Sequence, residues 1–107
     1  MMTIDFANTF YQRFKGLLGQ KLSPNTILCI TKCSSIHTLG MKEAIDLIFV
    51  DGNFKILKSY AHVKPRRIRL CWHARHCLEM QAGVLTQANT LDLVQQVQAE
   101  YIERGIK

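Results

Sequence analysis

The run Ile45-Asp46-Leu47-Ile48-Phe49-Val50, followed at once by Asp51-Gly52, constrains this chain more than any other segment. Six residues rich in β-branched and aromatic side chains read as a strand. Alternation puts Ile45, Leu47 and Phe49 on one face and Asp46, Ile48 and Val50 on the other, and both faces look buried. Asp51-Gly52 is expected to turn the chain as a two-residue hairpin, since both positions tolerate positive φ, with Phe54 to Tyr60 returning as the partner strand.

The same strand carries the sharpest anomaly. A carboxylate such as Asp46, entering an apolar strand, has to be paired, hydrogen-bonded or near water, because an isolated buried charge is costly. Arg13, Arg67 and His37 are its candidate partners. Asp46 is either a structural pin at the strand's entry or an acid that contacts a ligand. Upstream, His37 lies with Thr38 and Cys33 in a short polar run between two apolar segments. His37 can donate, accept or change charge near neutral pH, which with Thr38 and Cys33 suits a pocket wall. A histidine satisfying backbone groups in a turn is the plainer reading.

The remaining elements follow from periodicity. Thr3 to Phe6 reads as a strand, and Asn8 or Thr9 caps a helix whose Phe10, Phe14, Leu17 and Leu18 recur at helical spacing, with Gly19 ending it. Ser23-Pro24-Asn25 is a turn before a strand from Ile27 to Thr31. Two short strands are expected around Arg67 to Cys71 and Cys77 to Gln81, the second closed by Ala82-Gly83. After Thr90, a good cap, Leu91, Val94, Val97 and Tyr101 fall at helical spacing and Gly105 stands where the helix would stop. With 107 residues, 48% of them apolar, and no repeat or linker, the chain reads as one domain over 1–107.

Met1 to Leu18 carries Asp5, Arg13 and Lys15 where a signal peptide needs an apolar run, and no segment approaches the roughly 20 apolar residues of a bilayer helix. A cytoplasmic protein is expected. Cys29, Cys33, Cys71 and Cys77 then stay reduced, with Cys33 and Cys71 the pair best suited to meet. Cys33 with His37 and Cys71 with His73 resemble zinc ligands in type, but no Cys-x-x-Cys knuckle is present, so no metal and no cofactor is expected.

The net charge of +6 concentrates at Lys64, Arg66, Arg67 and Arg69, followed by Arg75. Such a field attracts phosphate, carboxylate or an acidic protein face. Tyr60 and Trp72 flank the segment, yet it carries no nucleic-acid signature. If Arg67 to Cys71 is a strand, Arg67 and Arg69 form its solvated face while Ile68 and Leu70 point the other way. Glu79 shares a face with Cys77 and Gln81 and is expected on the same wet side as Asp46. Two carboxylates invite an acid/base reading, but no nucleophile motif accompanies them.

Arg13 with Gly16-Leu17-Leu18, Cys33 with Ile36-His37-Thr38, Gly40-Met41, Ile45-Asp46 and Phe49 resemble the opening and signature of the small bacterial proteins grouped as domain of unknown function 192. Pro65, Arg67, Cys71, Ala74, Leu78-Glu79 and Ala82-Gly83 follow in that family's order, so the resemblance covers roughly positions 6 to 84. Arg66 stands where an aromatic residue is frequent. The chain after Gly83 lacks the family's Gly-Asp pair before a last strand and offers a helical extension over about 90–105 instead. The resemblance implies a mainly β, compact antiparallel sandwich or barrel-like domain, α+β at its margins, with a short N-terminal helix. It also implies a polar cluster of Arg13, His37, Asp46, Arg67 and Glu79 but no proven catalysis. Relatives with the Ile-His-Thr signature are often encoded near pilus and secretion components, which suggests an accessory role there.

The leading reading is a noncatalytic binding or assembly module whose pocket, formed by Arg13, His37, Thr38, Asp46, Arg67 and Glu79, holds a small anionic or polar ligand or a protein segment. The alternatives are an enzyme with a His/carboxylate acid-base site and a structural or oligomerising domain built on the C-terminal helix.

Overall fold

The computed structural model describes residues 2–7, 23–38 and 41–106. Along the chain these form β1 (Thr3–Ala7), β2 (Thr26–Thr31), β3 (Ser35–His37), β4 (Ile45–Val50), β5 (Ile56–Val63), β6 (Ile68–Leu70), β7 (His76–Gln81) and α1 (Thr90–Glu103). Five strands make one open sheet in the order β1-β2-β7-β4-β5, and β3 pairs with β6 in a second, two-stranded sheet. The β1–β2 pair is parallel and the other pairs are antiparallel. The architecture is mainly β, with a helix at the C-terminal end and no closed barrel among the described residues. The expected N-terminal helix after Thr9 lies outside them.

β4 is fully buried, as its composition demands: every residue from Ile45 to Val50 is inaccessible. One face of the large sheet presents Ile27, Cys29, Ile48, Val50, Leu78 and Met80 to Leu93, Val94 and Val97 of α1. The other presents Leu28, Ile30, Leu47, Phe49 and Cys77 to Ile36, Met41 and Cys71, on and around the small sheet. The helix and the small sheet therefore lie on opposite faces. Each buried aliphatic side chain contributes about 1.5–3 kcal/mol by leaving water, so these two clusters are the main source of stability.

α1 docks in cis, and its buried stripe is Leu93, Val94 and Val97, while Leu91 is 62% exposed. Tyr101 closes the stripe against Phe54 and His76, with ring centroids 5.0 and 5.1 Å away. The N-cap is Asn89, one residue before the expected Thr90, and its side chain ties the preceding loop instead of the helix. Asn89 Oδ1 accepts the Thr86 N–H at 2.8 Å, and its Nδ2 donates to the Val84 carbonyl at 2.7 Å. Gly105, at φ 66°, ends the helix where expected.

Three expectations are corrected. First, Asp51-Gly52 is not a two-residue hairpin. The connection runs through Lys55, because Asp51 Oδ1 accepts the N–H groups of Asn53 and Lys55 at 2.8 and 2.9 Å, and the left-handed residue is Phe54 at φ 61°. Second, the polar run before Thr38 contains a strand, β3, which pairs with β6 and buries Ile36 in the core. Third, β6 has its faces reversed. Ile68 and Leu70 are 62% and 49% exposed, whereas Arg69 turns inward with its guanidinium 5.2 Å from the Tyr60 ring centroid.

Candidate functional site

Asp46 is buried on the helix face of the large sheet, opposite Met80 in the β4–β7 register. Its Oδ1 accepts the His62 N–H at 2.7 Å, and its Oδ2 accepts the N–H groups of Gly83 and Leu85 at 3.0 and 2.9 Å. His62 lies where the β4–β5 register shifts, in the left-handed region at φ 57°. That conformation costs a non-glycine residue roughly 1 kcal/mol or more and persists when its surroundings hold it. One carboxylate thus fixes the β5 bulge and the loop that leads from β7 to α1. No side-chain cation is needed for this among the described residues.

Thr38 does the same work at the small sheet. Its buried hydroxyl donates to the Lys64 carbonyl at 2.7 Å and accepts the Arg67 N–H at 2.8 Å. Its backbone N–H donates to the Arg67 carbonyl at 2.8 Å, and its carbonyl accepts the Arg66 N–H at 3.2 Å. Arg66 is itself left-handed at φ 65°. The loop from Lys64 to Arg67 is therefore clamped by one residue, and the side chains of Lys64, Arg66 and Arg67 stay exposed. Arg67 folds its guanidinium back towards the Pro65 and Arg66 carbonyls at 3.4 and 3.3 Å.

His37 is the neighbour of Thr38 and pairs with Ile68 across the ladder. Cross-strand partners share a face, so His37 lies with Ile68 on the side opposite buried Ile36 and inward-turned Arg69. It is half-buried, and its Nδ1 is inaccessible with no hydrogen-bond partner among the described residues. His37, Thr38 and Arg67 are brought together at one end of the small sheet. Arg13 lies outside the described residues.

Glu79 is elsewhere. In register with Leu28 and Leu47, it points to the face that carries the small sheet, so Asp46 and Glu79 stand on opposite sides of the same sheet. The expectation of a shared wet side is corrected on both counts, because Glu79 is fully buried. Alternation set the face of each residue within its own strand, and only the register between β4 and β7 relates the two. Among the described residues neither Glu79 carboxyl oxygen has a hydrogen-bond partner, and burial pushes the group up to about 8. At neutral pH it is held largely as the uncharged acid. The two carboxyl groups cannot act together on one substrate, which removes the paired-acid basis for catalysis.

His76 was not singled out by sequence. It is buried on the helix face, stacked on Phe54 at 5.0 Å, and burial followed by the Arg75 charge lowers it to about 4. Its ring is a neutral part of the core. The signal that could have found it is its position in the Cys77–Gln81 alternation, one residue earlier.

Cys33 and Cys71 both stand at the Ser35–Leu70 end of the small sheet. Cys33 Sγ donates to the Ser35 carbonyl at 3.0 Å, and the Cys71 N–H donates to the Ser34 carbonyl at 2.8 Å. No disulfide joins the four cysteines. Burial, and then Cys33, pushes the Cys29 thiol up to about 12. Cys77 is raised well above its ordinary value by burial and then by Cys33, Glu79 and the other thiols. Both are held as thiols and are poor nucleophiles. Among the described residues no group of three or more His, Cys, Asp or Glu side chains is placed to hold a metal ion.

Sequence reasoning also missed the apolar side chains displayed beside this site. Ile68 and Leu70 emerge from β6, and Trp72, in the turn that follows, is 85% exposed. A signal was present: between Gly52 and Leu78 the chain has seven Lys and Arg and no Asp or Glu, so half of its cations stand without any of its eight anions.

Comparison with known proteins agrees with this architecture. The chain is 31% identical over 93 residues to the UPF0127 protein PF1050 of Pyrococcus furiosus, covering 77% of this chain and 74% of that one. Its fold is similar to that of a putative transcription regulator from Sinorhizobium meliloti 1021, with a TM-score of 0.67 and 18% identity, over 78% of this chain and 70% of the other. A protein of unknown function from Novosphingobium aromaticivorans gives a TM-score of 0.68 at 16% identity, over 78% and 65%. At such identities these two structures speak for the fold alone. The family DUF192, described as Uncharacterized ACR, matches residues 1–94, which hold all the described strands of both sheets and the start of α1. The chain is therefore a member of the DUF192 family.

Proposed function

We propose that the protein is a noncatalytic binding or assembly module whose working surface is the small sheet and the basic loop beside it. The observation that carries this reading is the Thr38 clamp. It fixes the backbone of Lys64 to Arg67 through a buried hydroxyl and leaves the cationic side chains outside. A loop held in a left-handed conformation at Arg66, without a packing role for the side chains it carries, is organised for display. The partner suited to it bears an anionic or polar group, as a small ligand or as a segment of a protein, and a component of a pilus or secretion assembly would be a partner of this kind.

Asp46 and Glu79 enter this reading as parts of the scaffold, the first by fixing two loops and the second by lying sealed between layers. His37 and Arg67 are the members of the expected polar cluster that remain beside the surface. Isothermal titration with oligoglutamate as an anionic probe tests the reading. Wild-type protein is expected to bind, more weakly as salt rises, and Arg66→Glu with Arg67→Glu is expected to lose the binding while keeping the wild-type circular dichroism spectrum. Binding that survives this charge reversal would overturn the assignment.

A further inference from the structure

Ile68, Leu70 and Trp72 are the feature of this surface that anion binding does not use. Exposed single apolar residues are ordinary, but here two alternate positions of one strand and the turn after it all face water. The reversal of β6 is what exposes them: Arg69 takes the inward position over Tyr60 that Ile68 or Leu70 would ordinarily occupy. The exposed Lys64, Arg66 and Arg67 precede this strand in the chain and exposed Arg75 follows the turn, while Lys58 is exposed on β5. Lys58 reaches the Leu70 carbonyl at 3.5 Å, so one charge sits directly against the apolar strand.

We propose that the outer face of the small sheet docks on an anionic lipid surface, with Trp72, Leu70 and Ile68 entering the interface and the neighbouring Lys and Arg side chains meeting the headgroups. This rests on the reading that the same surface binds anionic partners, and it names the partner. Two observations favour lipid over an acidic protein. The apolar side chains stand out from a two-stranded ribbon and a turn, and a deformable surface accepts them without a matching socket. The charge is also uniform, since the 27 residues from Gly52 to Leu78 contain no acidic side chain. Tryptophan with flanking Lys and Arg is the combination that settles at a membrane interface, the ring at headgroup level and the charges on anionic lipid. In this mode the protein rests on the surface; no described helix is long and apolar enough to cross a membrane.

Trp72 is the chain's single tryptophan, so its fluorescence reports directly on the proposed contact. The full chain is mixed with vesicles of phosphatidylcholine alone, or of phosphatidylcholine with phosphatidylglycerol, with and without brominated acyl chains. Expected are a blue shift and bromine quenching with the anionic vesicles alone, both reversed by salt. Leu70→Ser with Ile68→Ser is expected to weaken partitioning by about tenfold or more, since two apolar side chains leave an interface in which each is partly buried, at an unchanged urea midpoint. Co-sedimentation without blue shift or quenching would overturn insertion, and equal effects with both vesicle types would overturn the role of charge. If oligoglutamate binds while vesicles leave Trp72 unchanged, the lipid assignment falls and the anionic-partner reading stands. If neither binds, both fall.

Discussion

The two sheets treat their side chains in opposite ways. The five-stranded sheet hides nearly everything its middle strands carry, including two carboxyl groups, a histidine and two cysteines, between α1 and the small sheet. The two-stranded sheet turns an arginine inward and puts isoleucine and leucine outside. A sheet that seals polar residues is a scaffold, and its carboxyl groups are explained by what they hold or by the acid form they keep. A ribbon that displays apolar residues among cations leaves burial incomplete, and a binding partner would complete it.

The contrast breaks most visibly at Glu79. The unfolded chain ionises this group near its ordinary 4.5, while the folded chain keeps the proton up to about 8. Its contribution to stability is therefore full below pH 4.5 and is lost as pH rises to 8, at roughly 1.4 kcal/mol for each unit of pH. Glu79→Gln is expected to match wild type near pH 4 and to exceed it by several kcal/mol at pH 8 in urea denaturation. Equal stabilities at pH 8 would show that Glu79 is ionised and satisfied in the folded chain. His76 acts with the opposite sign: the unfolded chain takes up its proton near 6.5 while the folded ring stays neutral down to about 4, so stability falls as pH drops through that window.

Asp46→Ala comes next. It orphans three N–H groups, of which those of His62 and Gly83 can partly recover water, so a loss of about 2–4 kcal/mol is expected. Proteolysis is expected to speed up at the β5 bulge and the loop before α1, and a loss below about 0.5 kcal/mol would return Asp46 to the candidate ligand contacts. Thr38→Val keeps the shape but removes the hydroxyl from Lys64 and Arg67, for about 1–2 kcal/mol, with faster hydrogen exchange at the Arg67 amide. Ile68→Ser is the smallest, within about 0.5 kcal/mol, because an exposed side chain loses little burial. A large loss there would mean that the outer face is packed in solution and would remove the contrast between the sheets.

β4 and the face of Asp46 were legible because strand alternation and an apolar run are local. So were Gly83 and Gly105, whose positive φ values of 95° and 66° mark ends of elements. The faces of β6 are the reverse of those its sequence predicts. Alternation shows which residues share a face, but which face is covered depends on Tyr60, nine residues before Arg69 and on another sheet. β3 is three residues long, and its existence depends on Leu70, Arg69 and Ile68 coming to pair with it. The hairpin misled because a side chain intervened: Asp51 captures two backbone N–H groups and carries the turn on to Phe54, which then fills the core beneath α1. Of the expected polar cluster, Thr38 bonds the backbone of Arg67 beside His37, while Asp46 and Glu79 part, an outcome set by the register of β7 against β4 and β2.

An NMR titration of the full chain with oligoglutamate tests the central claim most directly, because it shows where an anionic partner lands. The account predicts amide shifts concentrated at His37, Thr38, Arg66, Arg67 and the residues of β6, fading as salt is added. Shifts gathered instead at His62, Gly83 and Leu85 around Asp46, with the small sheet silent, would contradict it.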